Sequence, residues 1–444
     1  MWGWRSLYGE DMDHERMALE ALLVLEGNWL GRSTKPAPHL YPHQWSWDSA
    51  FIAIGHAGVR WDRAAVELLT LFEAQWSSGL VPHIVFGEGA KGYWPSLEVW
   101  DSHACAEAPT GVATSGICQP PVHALAARRI FEARPDKQGR AFLSAMFEPI
   151  TAWHDYLHRE RAIGSVLAEI WHPWESGMDN SPAWDAALAA LEPMPEDIPQ
   201  YVRVDTDVAT PTDRPSDEDY DRYAYLLHRL RRDNYAPATP QDHPFRVRDV
   251  LFNSLLVAAD RDLAWIAEQL GADGSPSRER ASAVAFEIDR VLWSEEFGMH
   301  VSYDAVVDRQ IPQPIAGGFV ALLAQPSSDL IPRILDVLEQ EFLVGASPSG
   351  SVLPTVALSD HAFESGRYWR GPAWVQITWL VASGLETVGS DVLAEQLRDG
   401  IISLISGAGF WEYFDPATGE GHGSDRFSWT AALLLDIVSP LRTG

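Results

Sequence analysis

The sequence predicts an all-α chain of concentric helical hairpins. Apolar residues recur at helical spacing along most of its length, and strand-like alternation is scarce and short. The helical stretches number about a dozen, the count expected for six hairpins, and long loops separate many of them. His14 to Gly27 reads as an amphipathic helix, with Met17, Leu22 and Leu25 on its apolar face. Asp62 to Ser77 reads as a second, with Asp62 as N-cap and its end near Gly79. Further helices are expected at 121–133, 139–161, 217–232, 248–271, 276–295, 313–324, 328–341, 372–385, 389–406 and 427–438, with a hairpin near Met299 to Val307. The long loops fall at 31–49, 79–120, 171–184, 193–216, 344–371 and 407–426, where a helical barrel would carry the rim of a site. The chain reads as one domain over 1–444, with loop insertions near 79–120 and 193–219. The Pro-, Asp- and Thr-rich segment 193–219 reads as a rim or lid loop rather than a linker, because helical patterning continues on both sides of it.

Composition narrows the function. The 444 residues are 46% hydrophobic, enough for a large core, and carry a formal net charge of −29. Such a chain repels nucleic acid and anionic membranes, so neither is expected as a partner. The first twenty residues hold acids and no basic stretch followed by an apolar run, and no segment is long and apolar enough to span a membrane; a cytoplasmic protein is expected. Cys105 and Cys118 lack histidines at ligand spacing, so they read as ordinary buried thiols, with one disulfide left open, and no metal site is expected. Twenty tryptophans are well above ordinary usage, and each is a costly core filler because its N–H wants a partner; the count reads as either a Trp-rich core or a sugar-binding cleft. Flat indole faces stack well on the C–H faces of sugars.

Four aromatic constellations carry candidate chemistry. Tyr41-Pro-His-Gln-Trp45-Ser-Trp47-Asp48-Ser49 surrounds one carboxylate just before a helix. Asp48 there is either a helix cap, as Ser49 could be, or a group that accepts two sugar hydroxyls. Trp171-His-Pro-Trp174-Glu175-Ser-Gly177-Met-Asp179-Asn180-Ser-Pro-Ala-Trp184-Asp185 places three acids among three tryptophans. A general acid must stay protonated near neutral pH, and apolar surroundings raise a carboxyl's pKa. Asp179 has that neighbourhood, Glu175 and Asp185 compete with it, and Asp179 or Asn180 could instead only cap. Phe410-Trp411-Glu412-Tyr413-Phe414-Asp415-Pro-Ala-Thr-Gly419, continued to Phe427-Ser428-Trp429, embeds Glu412 among rings, while Asp415 reads as turn chemistry. The fourth is Gly366-Arg-Tyr368-Trp369-Arg370-Gly-Pro372-Ala-Trp374, accompanied by Gly79-Leu-Val-Pro82-His83 and Gln119-Pro120-Pro121.

In this order and over almost the whole chain, these stretches resemble the catalytic module of glycoside hydrolase family 63 and its trehalase-like relatives, and within it the short bacterial members acting on glucosylglycerate or mannosylglycerate. The resemblance implies an (α/α)6 barrel with long loops capping the site, and an inverting α-glycosidase in which Asp179 is the acid and Glu412 the base. It places Tyr41, Trp45, Trp47 and Asp48 along the sugar subsite, completed by Trp174, Gly177, Trp369, Arg370 and Trp374. Phe414 stands where the family commonly has Tyr.

The implied substrate is a small glycoside, glucosylglycerate first, with mannosylglycerate or a neutral disaccharide such as trehalose as alternatives. A glycerate aglycone needs a close cation, because the global charge repels anions. The resemblance to the glycerate-specific members points to Arg214, followed by Tyr220, a surface ion pair being the other reading, and implies Tyr93, Gln119 and Tyr368 as hydrogen-bonding companions. No cofactor is needed for such hydrolysis, and self-association is left open. A non-catalytic sugar-binding protein would keep the tryptophans without needing Asp179 and Glu412. A terpene-cyclase-like barrel would need an Asp-rich motif on an apolar helix face, which the acids at 217–221 do not provide.

Overall fold

The structure, a computed structural model, describes residues 4–87, 93–192, 197–198, 200–203, 205–208, 210–236, 239–345 and 350–438. Lys91 and parts of the loops expected at 79–120, 193–216 and 344–371 lie outside the described residues.

Helices dominate, and their contacts close a ring. Ser46–Ala57 packs on His123–Ala133, which packs on Val250–Leu270, then come the 3-10 segment Ala316–Ala324, Val375–Thr387 and Ser428–Ile437, which returns to Ser46–Ala57. Outside this ring, Trp4–Gly27, Trp61–Phe72, Lys137–Tyr156, Ser275–Glu287 and Asp391–Ala408 pack on Ser428–Ile437, Ser46–Ala57, His123–Ala133, Val250–Leu270 and Val375–Thr387. Ile331–Val337 lies against the strand Met299–His300, which itself packs on Ala316–Ala324. This inner-outer alternation is consistent with the six concentric hairpins expected.

Burial explains which helix goes where. Every residue of Ser46–Ala57 is buried, as is every residue of Ala316–Ala324. A helix apolar all round must be enclosed. Trp61–Phe72 instead buries one stripe, Ala64, Ala65, Leu68, Leu71 and Phe72, and belongs outside. At the ring's closure a side chain on Gly55 would collide with the Ala432 carbonyl, so glycine lets the two helices touch.

Several expected elements differ in detail. Asp62 does not cap its helix: Arg60 occupies the cap position and Asp62 lies in the first turn. The stretch expected at 313–324 is a 3-10 helix, seated so tightly that a side chain on Gly318 would strike the His300 carbonyl. The stretches at 139–161, 276–295 and 328–341 finish as π turns over Leu157–Arg161, Ile288–Leu292 and Leu338–Phe342. In place of one hairpin near Met299 there are two: Trp293–Ser294 pairs with Met299–His300, and Tyr303–Asp304 with Arg309–Gln310. Cys105 and Cys118 are free buried thiols.

Candidate active site

The pocket opens where loops enter the inner helices. Trp45, Trp47 and Asp48 stand at the start of Ser46–Ala57, Gln119 just before His123–Ala133, Trp369 before Val375–Thr387, and Phe427 and Trp429 at the start of Ser428–Ile437. Tyr41, Tyr93, Trp174, Gly177, Asp179, Arg214, Tyr220, Tyr368 and Glu412 complete the expected lining. Pro36, His83 and Trp94 also line it and were not singled out as site residues, nor were Phe427 and Trp429. His83, Phe427 and Trp429 lay inside the quoted motifs; Pro36 and Trp94 lay in none.

The first motif is held by a two-residue strand. Gln44–Trp45 pairs with Ile84–Val85, bringing Trp45 within 6.5 Å, ring to ring, of His83. Burial lowers the His83 pKa to about 3, so the imidazole is neutral. Asp48 is not a cap: Trp45 holds the cap position and no side chain caps there. Asp48 sits in the first turn at 3% exposure, and burial pushes its pKa well above the carboxylate range, opposed by its own backbone N–H and reinforced by the Glu412 and Asp179 charges. Behind it Ser49 and Thr34 donate to Glu67 at 2.7 and 2.8 Å, tying the pocket wall to the outer helix.

The second motif separates its acids. Glu175 is wholly buried in a bidentate pair with Arg161 at 2.6 and 2.8 Å, and also accepts from Trp171 N at 2.6 Å. Asp185 pairs with Arg370 at 2.6 and 2.8 Å and is half-exposed. Asp179 alone of the three lines the pocket. Its backbone is fixed by Tyr223, whose hydroxyl donates to the Asp179 carbonyl at 3.0 Å. Its carboxyl accepts from its own backbone N–H and, at 3.5 Å, from the Tyr368 hydroxyl. Burial raises its pKa to about 7 against the pull of the Arg214 charge. Gly177, two residues before it, has φ +73, and a Cβ there would lie 2.5 Å from the Trp47 ring. Only glycine lets the acid's loop turn against that indole.

Glu412 comes in on the hairpin Tyr413–Phe414 with Gly421–His422 and is 1% exposed. Tyr41 donates to its Oε1 at 2.8 Å and Ser424 N to its Oε2 at 3.1 Å. Burial raises its pKa, and the Arg214 charge and these donors oppose the rise. Gly423 has φ +74, and a side chain there would collide with Oε2. Phe414 is fully buried, and Asp415 accepts from Ala417 N and Thr418 N at 2.8 and 2.9 Å, which is the turn its sequence suggested.

Arg370 and Trp374 are corrections. Arg370 turns away from the pocket to Asp185, because Trp369 takes φ +53 and reverses the chain's direction. Trp374 is stacked behind Trp369, centroids 3.6 Å apart, as a second layer. Arg214 is buried at 6% exposure rather than a surface ion-pair partner, with its guanidinium 3.9 Å above the Tyr368 ring. Its Nε donates to Asp205 at 3.1 Å, and its Nη1 is buried without a partner among the described residues. Gln119 has its oxygen fixed by Trp47 N at 3.2 Å, leaving its NH2 for a ligand. Among the described residues, no group of three His, Cys, Asp or Glu is placed to hold a metal ion.

Aromatic walls, three carboxyls held above their ordinary pKa and a buried cation define a hydrolase of small glycosides. The chain belongs to the family described as mannosylglycerate hydrolase MGH1-like glycoside hydrolase domain, whose model matches residues 41–430. It is 45% identical to a mannosylglycerate hydrolase of Rubrobacter radiotolerans, over 96% of this chain and 97% of that one. It is 37% identical to a glucosylglycerate hydrolase of Mycolicibacterium hassiacum, over 95% and 97%. The crystal structure of a mannosylglycerate hydrolase from Thermus thermophilus, in complex with Tris and D-glycerate, superposes with a TM-score of 0.86 at 39% identity, covering 95% of this chain and 99% of that one. Among the described residues no helix is long and apolar enough to cross a membrane.

Proposed function

We propose that this enzyme hydrolyses a glycosylglycerate, glucosylglycerate first, to the free sugar and glycerate, with inversion at the anomeric carbon. Asp179 protonates the glycosidic oxygen and Glu412 deprotonates the attacking water. With a pKa of about 7, Asp179 holds its proton over much of the neutral range, as an acid must. Glu412, fixed by Tyr41 and Ser424, has the orientation a base needs. The indoles of Trp45, Trp47, Trp174 and Trp369 wall the sugar subsite, and Asp48 accepts its hydroxyls.

The observation that carries the aglycone is the buried, unpartnered Nη1 of Arg214 among the pocket residues. A buried donor without an acceptor costs about 1–3 kcal/mol, which a substrate carboxylate would relieve. Tyr93, Gln119, Tyr220 and Tyr368 line the same pocket and are the hydrogen-bonding companions in this reading. Mannosylglycerate is the second reading, supported by the names of the relatives at 45% and 39% identity. Assay of the purified enzyme on glucosylglycerate, mannosylglycerate and trehalose side by side tests the substrate. Faster turnover of trehalose would overturn it. Proton NMR in the first minutes tests the stereochemistry: the β-anomer should appear first, and an α-anomer would mean retention with a closer carboxyl pair.

A further inference from the structure

Arg214 does not stand alone. Asp205, 4% exposed, sits between two arginines, taking Nε and Nη2 of Arg203 at 3.1 and 2.7 Å and Nε of Arg214 at 3.1 Å. Each guanidinium is pressed on a pocket tyrosine: Arg203 lies 4.0 Å above the Tyr220 ring and Arg214 3.9 Å above that of Tyr368. Arg203 is fixed further by the Pro215 carbonyl at 2.6 Å and by Asp217, an exposed acid, at 3.0 Å. Asp217 balances Arg203 on the solvent side, so Asp205 and Arg214 are the buried pair of this cluster. Arg214 keeps one buried donor without an acceptor among the described residues, its Nη1.

We propose that Asp205 is the positioning residue for aglycone recognition: by holding Arg214 through Nε, it turns Nη1 to the substrate carboxylate and sets the enzyme's preference for an acidic aglycone. The inference rests on the glycosylglycerate reading above. A guanidinium on a flexible stem has many orientations, and one bond to Nε plus a ring beneath it leaves few. Asp205 does not line the pocket; it acts through Arg214 and through Tyr220, whose hydroxyl donates to it. It is also the counter-charge to Arg214. Orientation and charge make opposite predictions when Asp205 is neutralised.

The test is Asp205→Asn in the full chain, assayed on whichever of glucosylglycerate and mannosylglycerate the parent prefers, with free D-glycerate and free glucose as inhibitors. The expected result is a KM raised roughly ten- to a hundredfold with kcat within about threefold, and D-glycerate inhibition weakened in parallel. Glucose inhibition stays at the parent's value, which shows the fold and sugar subsite intact, and Asp205→Glu recovers part of the lost affinity. An unchanged or lowered KM overturns the proposal, because Asp205 is then only a counter-charge. Loss of kcat and glucose inhibition together also overturns it, because Asp205 is then scaffold. A parent that D-glycerate does not inhibit overturns the glycosylglycerate reading itself, and this proposal with it.

Discussion

Glu175 and Asp179 lie four residues apart in one motif, and their surroundings drive them to opposite states. Glu175 is buried completely, yet Arg161 and the N–H groups of Trp171 and Cys118 hold it below the usual carboxylate range against the cost of burial. Asp179 is less enclosed, and burial raises it to about 7 against the Arg214 charge, its own backbone N–H and a tyrosine hydroxyl at 3.5 Å. Burial alone does not fix a carboxyl's state; the charges and donors around it do. The fully paired carboxylate builds the loop, and the poorly paired one is left for chemistry.

Substitutions should separate the two. Asp179→Asn should lower kcat by roughly 10²–10⁴-fold while glucose inhibition persists, and Glu412→Gln should do the same. Either variant retaining more than a small fraction of turnover would reassign that role. Glu175→Gln should instead act on stability, by about 3–5 kcal/mol, because it leaves Arg161 buried without its counter-charge. Denaturant unfolding reads this, and a stable variant would refute the pairing.

The pH dependence of stability should differ in sign. The lowered Glu175 pKa contributes stability above its unfolded value, and this is lost as pH falls through the folded one. The raised Asp179 pKa is a liability that grows as pH rises from the unfolded value of 3.8 to about 7 and is complete above it, so Asp179→Asn should melt higher than the parent at pH 8 and gain little at pH 4.

Arg214→Ala should reduce kcat/KM on a glycerate-bearing substrate about ten- to a hundredfold, mainly in KM, and spare a neutral glycoside. An equal loss on both would make Arg214 structural. The smallest effect expected is in the pH profile. Activity should fall as Asp179 ionises near pH 7, and Tyr41→Phe should move the acid limb upward by about one unit, since Tyr41 donates to the charged form of Glu412. An acid limb that stays in place would remove Tyr41 from the base's support.

The helix pattern was largely readable because most helices bury a periodic stripe: the stretch expected at 217–232 is the helix Asp217–Arg232, closed by a Ser216 capping box. The 3-10 segment was not, because its narrowness follows from contact with the distant His300. Most of the pocket was legible because its aromatics cluster in sequence. Trp94 was not, since it stands apart from every motif and reaches the site through Trp174 and Tyr220, 6.1 and 5.7 Å away ring to ring. Arg370 was misplaced by adjacency: a residue beside a pocket tryptophan need not share its direction when the backbone between them reverses.

The entry of inner helices at the pocket has an electrostatic consequence. Several lining residues sit at or just before helix N-termini, where unpaired N–H groups leave partial positive charge. In a chain of net charge −29, these ends and Arg214 are the positive groups at a pocket that also holds Asp48, Asp179 and Glu412, and burial holds those carboxyls toward their neutral form. An anionic substrate approaching from solution is therefore slowed by the molecule as a whole and drawn in over its last few ångströms. Added salt should screen the outer repulsion far more than the buried contact, so capture of an acidic glycoside should quicken as ionic strength rises.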